Sequence, residues 1–131
     1  MGSGCYGRAK TTRDSGEVAM IIDEFVVEVI TVVAESPICE VPFIRSLTLT
    51  SVSLRVPLTI GGFVDSFYNE HSGTTAYALI QNNQRIFGAD NTGGWHLHPF
   101  NDPKRHDQLP AAMSFAEFIA HIEQHYHLAF P

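Results

Sequence analysis

An α+β fold follows from three features of the sequence, with a four- to five-stranded antiparallel meander sheet and an N-terminal and a C-terminal helix packed on it. Residues 17–36 and 114–127 repeat apolar side chains every three or four positions, which is the helical period. Residues 44–89 instead alternate apolar and polar side chains, as a half-buried strand does. Clusters of Gly, Asn and Ser cut that alternating region into pieces short enough for hairpins.

In the first helix, Ile22, Phe25, Val26, Val29, Ile30 and Val33 form the apolar stripe, and Asp23, Glu24, Glu28, Thr31 and Glu35 the polar one. The valines are mediocre helix formers, so a strand is the competing reading, and Pro37 ends the element either way. Residues 44–60 read as one bent strand or two short ones, broken by Gly61-Gly62. Phe63 to Glu70 and Thr74 to Ile80 are the next strands, with His71-Ser72-Gly73 as their turn and Thr75, Tyr77 and Leu79 on one side. Gln81-Asn82-Asn83-Gln84 is a tight turn, because Asn tolerates a left-handed backbone, and Arg85 to Ala89 returns as a strand. The last helix opens on a capping box, Ser114-Phe115-Ala116-Glu117, with Met113 and Phe118 placed as a hydrophobic staple. Phe115, Phe118, Ile119, Ile122 and Tyr126 then form its stripe.

The 131 residues, with 44% hydrophobic and 17% charged side chains, describe one globular domain over 17–131. Residues 1–16, Gly/Ser-rich with Arg8, Lys10 and Arg13, read as a disordered leader, and Met20 is a second candidate start. No run approaches the roughly 18 apolar residues of a membrane span. Cys5 and Cys39 do not make a disulfide framework, which fits a reducing, cytoplasmic compartment. A net charge of −6 argues against a broad basic surface that coats nucleic acid, although Arg85, Lys104 and Arg105 leave room for a local basic groove.

Chemistry concentrates between Arg85 and Asp107, where Asp90-Asn91 is followed by Trp95, His96, His98 and His106. In an extended segment His96 and His98 share a face. Two such imidazoles can bind a metal, with Asp90, Asp102 or His106 as a third ligand, or act as an acid and a base. His96-x-His98-x-x-x-Asp102 faintly resembles a first cupin motif, but has Asp for Glu, lacks the flanking glycines and has no second motif. His121 and His125 lie one helical turn apart without the Glu of a zincin motif, and suit the end of a solvated helix. RNA carries its own nucleophile in the 2′-hydroxyl, so cleavage needs only a base, an acid and a cation on the phosphate. His96 and His98 supply the acid/base pair in this reading, and Asp90 orients an imidazole. Arg85, Lys104 and Arg105 hold phosphate, Trp95 stacks a base, and His106 can replace either histidine. His98→Ala is then expected to abolish activity and preserve the fold. No phosphate-binding, dinucleotide or serine-hydrolase motif is present, and no cofactor is called for. Cys39, next to Glu40, has its thiol pushed up rather than activated.

At Arg85-Ile86-Phe87-Gly88-Ala89-Asp90-Asn91 and His96-Leu97-His98-Pro99 the chain resembles the small TumE-like proteins of prokaryotic toxin–antitoxin pairs. The resemblance covers residues 20–127 in outline and is specific around 85–106. Ala89 stands where an aromatic is expected before Asp-Asn, and the histidine cluster is thinned to His96, His98 and His106. It implies a growth-inhibiting toxin that acts on RNA and is neutralised by a separately encoded antitoxin-like partner. The competing class is a binding module that breaks no bond and pairs with a partner, or as a homodimer, through a strand edge.

Overall fold

The computed structural model describes residues 20–127; the leader expected over 1–16, the expected helical residues 17–19 and Cys5 lie outside the described residues. Helix α1 spans Ile22–Glu35. Seven strands follow: β1 (Phe43–Leu47), β2 (Ser51–Pro57), β3 (Phe63–Asn69), β4 (Thr75–Gln81), β5 (Gln84–Asp90), β6 (His96–His98) and β7 (Asp107–Gln108). Helix α2, Phe115–His125, closes the described chain. The strands form one antiparallel sheet in sequence order, β1 to β7.

The sheet is therefore seven-stranded, not four- or five-stranded. Residues 44–60 divide at Thr48, whose hydroxyl accepts from the backbone N–H of Thr50 and Ser51 and folds the chain back. Strands β6 and β7 have only three and two residues, too few for alternation to register. The Asn82-Asn83 turn forms as expected, with φ of 52° and 62°.

Both helices cover the same sheet face. Val52, Leu54, Val56, Val64, Tyr77, Leu79, Phe87 and Ala89 point toward them and are buried with Phe25, Val29, Phe115, Phe118 and Ile122. Phe25 of α1 stacks on Tyr68 of β3, while Phe118 of α2 packs on Tyr77 and Phe87. The capping box of α2 is complete: Glu117 N–H donates to Ser114 Oγ and Ser114 N–H to the Glu117 carboxylate. Helix α1 starts at Ile22, whose N–H donates to the Glu70 carboxylate at the end of β3. That bond satisfies one orphan donor of the first turn and fixes the helix to the sheet. Helix α2 stops at His125, and His127 turns to a left-handed φ of 58°.

The alternate residues of the strands form the opposite face, which no described helix covers. Register places Ala76, Asp90, His96 and Gln108 side by side across β4 to β7, with Ala78, Gly88 and His98 in the neighbouring row.

Candidate functional site

Asp90, His96 and His98 come together on this open face because β5 and β6 pair with Asp90 opposite His96 and Gly88 opposite His98. Strand β7 adds His106, which directly precedes it. The three imidazoles are mutual neighbours: ring centres lie 4.9 Å apart for His96–His98, 4.8 Å for His96–His106 and 4.5 Å for His98–His106. With Arg85, Asp90 and Thr92 they line a cleft of about 330 Å³.

The Asp90 carboxylate divides its oxygens between two rings. His96 Nε2 is 3.2 Å from Oδ1 and His98 Nε2 is 3.2 Å from Oδ2. The Thr92 backbone N–H also donates to Oδ1 at 3.0 Å. Burial alone would raise the Asp90 carboxyl, but these hydrogen bonds and the two imidazoles outweigh it and hold the group below its ordinary value.

His98 is only 3% exposed, and both ring nitrogens are committed. Arg85 Nη2 lies 3.5 Å from Nδ1, at the outer limit of a hydrogen bond, and donates to the Pro103 carbonyl at 3.1 Å. A guanidinium only donates, so it leaves Nδ1 as the acceptor and Nε2 as the N–H that faces Asp90. Burial lowers the His98 pKa, and Arg85 and His106 add to that, against the opposing pull of Asp90. His106 is the exposed ring of the three; the His96 side chain is 12% exposed and stacks on it at an interplanar angle of 23°. His96 Nδ1 also lies 3.0 Å from the Gly94 carbonyl, so both its nitrogens face acceptors. A neutral imidazole can donate to only one of them; the imidazolium donates to both.

A lowered His98 pKa sets a sign for stability against pH. The unfolded imidazole takes up its proton near pH 6.5, and the folded one does so only at lower pH. The associated stability is complete above the unfolded value and is lost as pH falls toward the folded one. Urea midpoints at about pH 7.5 and about pH 5.5 are expected to drop on acidification, and His98→Gln to drop less. An identical pH dependence in both proteins would remove His98 as the source. His98→Ala is thus not fold-neutral, since it empties a buried position and strips a partner from Asp90.

Arg85 reaches this face through a bulge. Phe87 pairs with Leu79 but Arg85 with Ile80, so Ile86 is the extra residue. Without it, Arg85 would point into the core. Gly88 completes the arrangement, since a Cβ there would lie 3.1 Å from Arg85 Cδ, 3.1 Å from the Tyr77 carbonyl and 3.5 Å from His98 Cδ2. Gly88 and Thr92 were not among the residues singled out from sequence, because only the strand register reveals their position.

The other singled-out residues lie apart from the cleft. Trp95 is on the helix-bearing face against Tyr77, with ring centres 6.1 Å apart. Arg105 forms a fork with Asp107, at 2.8 and 3.0 Å. Lys104 and Asp102 are exposed in the loop before β7. Asn91 is structural: its side chain accepts from Thr75 N–H and donates to the Gly73 carbonyl, tying the β3–β4 turn to the end of β5. His121 and His125 pack on Phe87 and Phe100, away from the cluster. Cys39 is half-buried, and burial, more than the charge of Glu123, pushes its thiol up; Glu40 is not among the causes. No described helix is long and apolar enough to cross a membrane. Compared with known proteins, the chain matches no family model, no curated protein and no solved structure.

Proposed function

We propose that this protein is a toxin-like endoribonuclease of a toxin–antitoxin pair, cutting RNA by proton transfer between histidines without a metal. The observation that carries the reading is the cluster of three neighbouring imidazoles, His96, His98 and His106, that lines one cleft together with Asp90 and Arg85. His106 takes the proton of the 2′-hydroxyl, and His96, whose ring donates toward Asp90 and Gly94, returns one to the 5′-oxygen that leaves. Arg85 supplies positive charge to the phosphate, and Asp90 orients the His96 ring. His98 is a positioning residue in this scheme and not the second member of the acid/base pair, since it is only 3% exposed whereas His106 is exposed. The choice of RNA rests on the resemblance to TumE-like proteins around residues 85–106.

The test is cleavage of labelled RNA in excess chelator. Full activity is expected, and loss of cleavage with recovery on adding zinc or manganese would replace this reading by a second one. A specific observation favours that second reading: His96, His98 and His106 place ligand atoms within 4.8 Å of one another. Against it, a metal on His98 needs a lone pair at Nε2, and Arg85 at Nδ1 favours the opposite tautomer. Gly88→Val is a separate check on the cleft. Its branched side chain displaces Arg85 and His98 and presses on the Tyr77 carbonyl, so cleavage is expected to fall on the order of 10²-fold, measured below the lowered melting temperature of the variant. Wild-type rates in Gly88→Val would show that the placement of Arg85 is immaterial.

A further inference from the structure

Most of the exposed large apolar side chains among the described residues lie near one another: Val27 and Ile30 on α1, and Val41, Ile44, Leu47 and Leu49 on or beside β1, while Phe43, paired with Arg55, points to the other face. Val27 and Leu47 are each 62% exposed, and Leu49 is 96% exposed. Scattered apolar residues on a surface need no explanation, but a contiguous group does.

Strand register explains the grouping. Ile44 pairs with Leu54 and Leu47 with Val52, both buried under the helices, so Ile44 and Leu47 point to the same face. Residues three apart share that face because Arg45 bulges out without a register partner. Helix α1 packs over β2 and β3, and α2 over β4 and β5, but no described helix covers β1. The trough between α1 and β1 holds two separate cavities: one, about 580 Å³, is lined by Ile30 and Ala34 with Val41 and Pro42, and the other, about 390 Å³, by Ile21 and Asp23 with Leu47 and Leu49.

We propose that this trough receives an amphipathic helix of a separate polypeptide, with an apolar stripe on Ile30, Ile44 and Leu47 and basic residues along its flanks. Helix α1 has 14 residues, so the trough fits a partner helix about 21 Å long. The lining carries Asp23 at one cavity and Glu40 at the other, which match Lys and Arg on the partner. The same carboxylates disfavour a second copy, which would bring its own acidic rim and a net charge of −6 to the interface. Pairing between two β1 edges is further opposed by the Arg45 bulge and charge at the centre of the strand.

The probe is a fluorescent 16-residue helical peptide with Leu at positions spaced three and four apart and Lys on both flanks. It is titrated into the full chain by anisotropy, beside a version with Glu in place of each Lys. Saturable one-to-one binding of the Lys peptide is expected, weakened about tenfold or more by Ile30→Glu, by Leu47→Glu and by the Lys-to-Glu exchange. Both substituted side chains are exposed, and unchanged melting temperatures establish that the variants remain folded. Absence of saturable binding, or equal binding by wild type and both variants, would overturn the proposal. So would sedimentation showing a wild-type dimer that both variants dissociate, which would give the trough to a second copy.

Discussion

Replacing His96 and His106 together by alanine is expected to reduce RNA cleavage about 10²- to 10⁴-fold, the range a general acid and base contribute. His106 is exposed, so its replacement should leave the melting temperature close to wild type, whereas His96, 12% exposed and in contact with Asp90, should lower it, and activity is compared at a temperature where the double variant is folded. Each single substitution should give most of the loss, because two groups serving one proton-transfer sequence do not contribute independently. The informative comparison is His98→Gln, which keeps a donor for Asp90 and is expected to retain more activity than the double variant. If His98→Gln is the deadest of the set and His106→Ala is unaffected, the acid/base pair is His96 and His98 as read from sequence.

Phe118→Ala is expected to cost about 3–5 kcal/mol of folding stability, measured by urea denaturation. Its ring is fully buried, stacks on Phe87 at 5.0 Å and packs on Tyr77 at 5.2 Å. No small residue among these aromatics can expand to fill the space it leaves. A loss below about 1 kcal/mol would mean that α2 is not integral to the core. The effect should reach the cleft as well, since Phe87 directly precedes Gly88 on β5.

Much of this architecture was legible because local signals agreed with the tertiary result. The α2 capping box, the paired asparagines of the β4–β5 turn and the shared face of His96 and His98 each depend on residues adjacent in sequence. Two bulges set the limit. Arg85 and Asp90 differ in parity and by strict alternation would lie on opposite faces; the extra residue Ile86 puts them on the same one. The Arg45 bulge does the same for Ile44 and Leu47. Leu49 falls within the alternating run 44–60 but sits in the turn between β1 and β2, where it is 96% exposed. Trp95 was read with the histidines beside it, yet successive residues of an extended chain face opposite ways, and its face is the core. The choice of His106 over His98 as an accessible ring rests on burial, which spacing does not encode.

The neighbour-to-neighbour strand order bears on how the chain emerges during synthesis. Each strand can pair with the one made just before it, so the sheet grows in the order of translation with little loop-closure cost. All the cleft residues have been made by His106, before α2 exists. At that stage Tyr77 and Phe87 still lack the Phe118 ring that covers them. The 11 residues of α2 therefore complete the scaffold after the chemistry is already encoded.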